Sequence, residues 1–378
     1  MDFYGGAETL VLKLSNYLTK KGIENAILTL SKLPDIIRGC EELHIITPRK
    51  TISYKIWETN FSGATRLAHE LIAMQKLFRE NVSDFDLVNV DNLPTTWSNF
   101  PKRRPCVWMC NEPPDLWYDS NNHSVPMRIM RNTLIELDKF IVNKIVDVIC
   151  VADAFNAKRV FTRYGKQAKI IHYGIEYDLF SNGDKKKAMR KFDIYDSFIL
   201  LQVGMITPSK NQFESVKTIE ELRNYIPNVK LILAGLGNGP YDEMIKKYIH
   251  RKGLKKHVVF TGHIPKQVLK DLYHACDIAL FPIKTQGGWL SPFEALCASK
   301  PIIVSTEMTA SDIIAREGIG IVTDDIVKAV LDVYNNPKPY WDMAERGRRF
   351  VAKNLNWDKF CEKMLTEFEN VLSKKNRC

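Results

Sequence analysis

Strand-like and helix-like segments alternate along almost the whole chain, and that alternation limits the fold more than any other feature. Short apolar runs at 26–30 (AILTL), 43–47 (LHIIT), 86–90 (DLVNV), 106–110 (CVWMC), 146–151 (VDVICV) and 169–174 (KIIHYG) are separated by stretches with helical spacing. A polar, lysine-rich stretch, SNGDKKKAMRKFD (181–193), interrupts the pattern. It then restarts at 198–204 (FILLQVG), 230–235 (KLILAG), 258–262 (VVFTG), 278–283 (IALFPI) and 301–305 (PIIVS). Helices are expected near 6–22, 64–80, 127–143, 211–225, 240–252, 266–274, from 291, and near 309–316. Such alternation predicts an α/β fold with parallel sheets and crossover helices. The 378 residues suit two domains of ordinary size. The interruption places them at 1–180 and 181–355. Residues 356–378 are expected to form an amphipathic helix packing back toward the N-terminal domain, with Phe360, Met364, Leu365, Phe368, Val371 and Leu372 on one face. A domain of this kind opens on a strand, whereas this chain opens on the loop before a helix, so the first sheet is expected to lack its first strand.

Doubly wound domains bind ligands at the carboxyl ends of their strands, and a pair of them facing each other across a cleft would collect residues from both. The unusual loops of the sequence fall at those ends. In Phe281–Glu294 (FPIKTQGGWLSPFE), an apolar strand runs into Gly287-Gly288 and then into a helix start at Ser291-Pro292-Phe293-Glu294. Two glycines let backbone N–H groups turn toward a ligand, and a helix N-terminus adds partial positive charge, which together suit an anion. A carboxylate one turn inside that helix can accept from hydroxyls, and the combination suits a nucleotide sugar. Ser-x-x-Glu is equally a capping box, with Pro292 as ordinary helix-start chemistry.

Composition narrows the partners. The chain is 45% hydrophobic and 26% charged, with a net charge of +10. Basic clusters lie at Lys102-Arg103-Arg104, Lys185-Lys186-Lys187, and Lys246-Lys247 with Arg251, Lys252, Lys255 and Lys256. None is interleaved with aromatics as a single-strand binding surface would be, so no nucleic-acid partner is expected. Solvated surface is the first reading of these clusters, and attraction to an anionic membrane is the second. No apolar run is long enough to span a membrane, and MDFYGGAETL lacks the basic and apolar regions of a signal peptide. The eight cysteines form no CxxC pair, so they read as reduced, mostly buried thiols of a cytoplasmic protein, with zinc a remote option.

Taken in order, the loops resemble the motifs of the retaining glycosyltransferases of family 4, from Gly5 to about Phe368. Gly5-Gly6-Ala7-Glu8 looks like the GGxE loop, whose glycines approach the donor phosphates and the acceptor; a plain loop-to-helix turn would use the same residues. Cys110-Asn111-Glu112-Pro113-Pro114 is similar to the C-H-x-P-P segment, with Asn111 where many members have a histidine at the donor sugar. Asn can hydrogen-bond a sugar but cannot carry a proton; a rigid turn is the alternative for NEPP. Gly204 to Asn211 (GMITPSKN) resembles the G-R-x-x-x-x-K-G/N segment, whose arginine and lysine clamp the donor diphosphate. Lys210 is in place, and Met205 holds the arginine's position. Gly235-Leu236-Gly237-Asn238-Gly239 resembles the G-x-G segment near the base, and His263 lies in the segment bordering it. Gln286 to Glu294 occupies the E-x7-E motif, with Gln286 for the first acid and Glu294 in the ribose-binding position.

The resemblance implies the GT-B fold. It also implies transfer of a hexose-type sugar, with retention, from a UDP- or GDP-linked donor to a glycan, glycolipid or lipid-linked hydroxyl. Lys210 and the amides of Gly288, Trp289 and Leu290 would stabilise the leaving diphosphate beside Gly204, Met205, Gly235 and Gly287. Glu294 would anchor the ribose, and Gln286 and Asn111 would orient the sugar. Gly5, Gly6 and Glu112 would lie on the acceptor side. No cofactor or metal is expected: Asp84-Phe85-Asp86 precedes a strand and reads as a turn rather than a metal clamp. The expected location is cytoplasmic, at the inner membrane face where the acceptor is lipid-linked. A sugar-nucleotide binder that has lost catalysis and a sugar-nucleotide epimerase of the same fold are the alternatives.

Overall fold

The computed structural model describes residues 6–30, 43–48, 64–93, 95–114, 125–237, 239–284 and 289–375. The chain divides into two compact units, one built from Met1–Tyr173 with Asp358–Cys378 and the other from Gly174–Trp357.

In the first unit, β1 (Ile27–Leu28) and β2 (Ile45–Ile46) pair in parallel. A second sheet runs in the order β3 (Val88–Val90), β4 (Cys106–Met109), β5 (Val148–Val151) and β6 (Ala168–Ile170), and every pairing in it is parallel. Strand β4 is wholly buried, as an apolar run covered on both faces must be. Helices Val125–Ile145 and Ala154–Tyr164 supply the crossovers from β4 to β5 and from β5 to β6, while Gly6–Lys20 precedes β1 and Ala64–Asn81 precedes β3. The last helix, Trp357–Lys375, contributes buried Phe360, Cys361, Met364, Phe368 and Val371 to this unit. Its Phe360 ring meets Tyr173 edge-on at 6.1 Å, and the Cys361 thiol lies 3.8 Å from the Lys13 carbonyl.

The second unit holds one six-stranded parallel sheet in the order β12-β11-β10-β7-β8-β9. Its strands are β7 (Phe198–Val203), β8 (Val229–Ala234), β9 (Val258–Gly262), β10 (Ile278–Phe281), β11 (Ile302–Val304) and β12 (Ile321–Val322). Ile199, Leu200, Leu201, Leu231 and Ile232 are at most 1% exposed, and each such side chain stabilises the fold by roughly 1.5–3 kcal/mol through burial.

The stretch 181–193 is not an irregular interruption, because Lys185–Phe192 is a helix. The Asp184 carboxylate caps it by accepting from the Lys187 N–H at 3.0 Å. Asp271 fixes it to helix Lys266–Ala275 by accepting from the Asp184 N–H at 2.8 Å. Only Ala188 of this helix is buried, so it has no apolar stripe to read. Six described cysteines are free and buried, and Cys40 and Cys378 lie outside the described residues. Burial pushes the Cys106, Cys150, Cys276 and Cys361 thiols up to about 12. No helix among the described residues is long and apolar enough to cross a membrane.

Three helices of the first unit, Thr95–Ser98, Val125–Ile145 and Ala154–Tyr164, are tied together by one carboxylate. Buried Asp138 accepts from Trp97 Nε1 at 2.8 Å, Tyr164 Oη at 2.7 Å, and Arg163 at 3.2 Å (Nε) and 3.0 Å (Nη2). Truncating one partner of such a buried charge network strands the others. Asp138→Ala is therefore expected to destabilise the protein by about 3–5 kcal/mol. Urea denaturation followed by tryptophan fluorescence measures this, and an unchanged midpoint would contradict it.

Candidate active site

In the second unit, the chain leaves β7 in one direction to build β8 and β9, then returns to lay β10 against the other side of β7. The connections therefore part above the β7–β10 pair, which is where such sheets open a crevice at their carboxyl edge. Most of the described sequence-predicted donor residues follow these strands.

Gly204 ends β7 with φ 141°, a conformation that L side chains rarely adopt. A Cβ on Gly235, after β8, would sit 1.9 Å from the Gly204 carbonyl oxygen, so that position admits glycine alone. The contact is fixed by hydrogen bonds from Gly204 N–H to the Ala234 carbonyl at 2.9 Å and from Ile206 N–H to the Leu236 carbonyl at 2.8 Å. Lys210 closes the short turn Pro208–Lys210, and its methylenes lie 3.8 Å from the point a Cβ on Gly204 would occupy. Two glutamines hold the turn. Buried Gln202 donates to the Lys210 carbonyl at 2.7 Å and accepts from Ser215 Oγ at 2.7 Å, while Gln212 donates to the Met205 carbonyl at 2.9 Å. Met205 itself is 59% exposed. Gly237 packs against Asp242 and Ile206, with a virtual Cβ 2.9 Å from each, and His263 is exposed just beyond β9.

Helix Leu290–Cys297 starts one residue before Ser291, with Trp289 as its cap residue and no side-chain cap bond. The capping-box reading is thereby overturned. Ser291 lies inside the first turn, and Glu294 turns to Tyr273, whose hydroxyl donates to Glu294 Oε2 at 3.1 Å and to the Ser291 carbonyl at 3.2 Å. Trp289 is buried against Phe293, with ring centroids 4.5 Å apart. Desolvation raises the Glu294 carboxyl to about 7, opposed by the Lys266 charge and the Tyr273 hydrogen bond. Lys266 is itself ion-paired with Glu176. Gln286, Gly287 and Gly288 lie outside the described residues.

In the first unit, Asn111 and Glu112 follow β4. The Asn111 side chain accepts from Tyr173 Oη at 2.6 Å and donates to Asn92 Oδ1 at 3.2 Å, so its amide is oriented. Asp91, just after β3, is pushed up to about 7 by burial and by the nearby Glu8 carboxylate. Gly5 lies outside the described residues, and Gly6 opens the first helix. The triplet Asp84-Phe85-Asp86 sits before β3, at the opposite edge of the sheet from Asp91.

Sequence reasoning missed Gln202, Gln212, Asp91, Tyr173, Glu176, Lys266 and Tyr273. A glutamine inside the apolar run FILLQV and an aspartate directly after DLVNV were available signals. The others read as ordinary helix or loop residues.

Two family profiles cover nearly all of the chain: "Glycosyltransferase Family 4" matches residues 4–179 and "Glycosyl transferases group 1" matches residues 184–350. The GDP-mannose-dependent alpha-(1-6)-phosphatidylinositol monomannoside mannosyltransferase of Mycolicibacterium smegmatis is 25% identical over 227 residues, covering 56% of this chain and 59% of that protein. The chain thus spans about three fifths of that relative's length. The O-antigen chain mannosyltransferase C of Escherichia coli is 22% identical over 391 residues, 99% of this chain and 97% of that one. Among solved structures, Anabaena HepE in complex with UDP and glucose has a TM-score of 0.75 at 14% identity, over 97% of this chain and 96% of that one. That likeness shows the fold: two Rossmann-like domains of the GT-B type.

The shift at Glu294 has a stability consequence. A carboxyl raised from 4.5 to about 7 on folding binds a proton in the folded state that the unfolded state has released, so stability is lost as pH rises through that interval. Ligand-free Glu294→Gln is therefore expected to melt higher than wild type above pH 7 and to match it near pH 4.5. Melting curves across that range test this, and parallel profiles would count against it.

Proposed function

The chain belongs to the group 1, family 4 glycosyltransferases, and from that premise we propose that it transfers a hexose-type sugar from a nucleoside diphosphate sugar to an acceptor hydroxyl with retention. The observation that carries this reading is the strand-end crevice of the second unit, where Lys210 lies over Gly204 and Glu294 stands at the start of the following helix.

In this reading the negative charge that grows on the leaving diphosphate meets Lys210 and the backbone amides of the helix start at Trp289 and Leu290. Glu294 accepts from the ribose hydroxyls once it is ionised, because a carboxylate offers lone pairs on both oxygens. Asn111, oriented by Tyr173 and Asn92, and Gln286 orient the donor sugar through neutral hydrogen bonds. The acceptor belongs to the first unit, beside Glu8, Asp91 and Glu112. The departing phosphate takes the acceptor proton, so no protein base is required, and lysine charge serves where a metal would. UDP and GDP donors both fit. A lipid-linked acceptor at an anionic membrane face suits the net charge of +10.

One observation favours the alternative of a binder without catalysis: exposed Met205 stands where the family has a phosphate-pairing arginine. A single experiment separates the two. Wild type and Lys210→Ala are incubated with UDP- and GDP-linked hexoses, and release of nucleoside diphosphate is followed with and without lipid and sugar acceptors. Turnover is expected for wild type, with a loss on the order of a hundredfold in Lys210→Ala. Donor binding by calorimetry without any turnover would establish the binder instead. Donor affinity is further expected to rise as pH passes upward through about 7, as Glu294 ionises, and to be flat with pH in Glu294→Gln.

A further inference from the structure

We propose that Lys284 is the second cation of the diphosphate site and takes over the task that Met205 cannot perform; this rests on the transferase reading above.

The topology places it there. Strands β7 and β10 are hydrogen-bonded neighbours, and the crevice opens at their carboxyl ends. Lys210 follows β7 on one lip, and Lys284 follows β10 on the other. The two lips are joined directly, since the Lys284 N–H donates to the Ser209 carbonyl at 2.8 Å, one residue from Lys210. That bond fixes the backbone of one lysine to the turn that carries the other.

Chemistry points the same way. A departing nucleoside diphosphate gains charge as the sugar leaves, and one ammonium neutralises only part of it. Met205 lies on the same loop as Lys210, is 59% exposed, and brings no charge. Lys266, the cation near Glu294, is already held by Glu176. Lys284 is exposed and has no ion-pair partner among the described residues. An ammonium is a point charge rather than a planar fork, so Lys284 replaces the charge of an arginine without its two-pronged geometry.

Calorimetric titration with UDP, GDP, UMP and GMP at low salt tests this on wild type, Lys284→Ala and the double variant Met205→Arg/Lys284→Ala. Lys284→Ala is expected to weaken the preferred nucleoside diphosphate by roughly tenfold or more. Its monophosphate affinity and melting temperature should stay unchanged, because the residue is exposed. The double variant should regain the diphosphate affinity. Wild-type diphosphate affinity in Lys284→Ala, or an equal loss for mono- and diphosphates, overturns the assignment while leaving the transferase reading intact. A wild-type protein that binds none of the four nucleotides overturns both.

Discussion

The close approach of Gly235 to the carbonyl of Gly204 is the contact on which the loops at the carboxyl edge of the second unit's sheet depend. Two strand ends meet there without any side chain between them, so the β7 exit loop rests on the β8 exit. The loop then follows the hydrogen bond from Ile206 to Leu236 and rises into the turn carrying Lys210. With the backbone placed this way, a polar bracket can work: Gln202, next to last in an apolar strand, holds the Lys210 carbonyl, and Gln212 holds the loop at Met205. A lysine poised over a glycine is therefore the end of a chain of constraints that starts in the buried sheet.

Glu294 shows the opposing tendency. In the proposed ribose-binding role Glu294 needs free lone pairs, and shelter from water strengthens every hydrogen bond it makes. The same shelter disfavours the charged form, and the chain meets this with the Tyr273 hydroxyl and the charge of Lys266 rather than with a direct ion pair. Lys266 is itself balanced by Glu176, so the positive charge reaching Glu294 is moderated. Among the described residues, Tyr273 bonds only one of the two carboxylate oxygens.

Most of the fold was legible because parallel sheets covered on both faces demand continuous apolar runs, and FILLQV, KLILA and CVWM are such runs. The glycine positions were legible too, since Gly204 and Gly235 each follow a strand directly. The helix Lys185–Phe192 was not. It is charged nearly all round and is fixed by a cap and by Asp271, neither of which leaves a periodic trace. Ser291 and Glu294 had the spacing of a capping box, yet the helix began a residue early and Tyr273, distant in sequence, captured the carboxylate. Spacing describes what a residue can do locally, whereas a tertiary partner decides what it does. Asp91 escaped for a related reason: its burial, and the Glu8 carboxylate that the first helix brings near it, are products of tertiary packing.

The first unit is assembled from two separated pieces of chain, Met1–Tyr173 and Asp358–Cys378, with the whole second unit lying between them in sequence. A ribosome delivers residues in order. Gly174–Trp357 therefore emerges as one uninterrupted stretch, and its six-stranded sheet has every strand it needs before the final helix exists. The first unit buries Phe360, Met364 and Phe368 from the far side of that stretch. The sheet of the second unit is thus built from one continuous stretch of chain, whereas the core of the first draws on residues from both sides of that stretch.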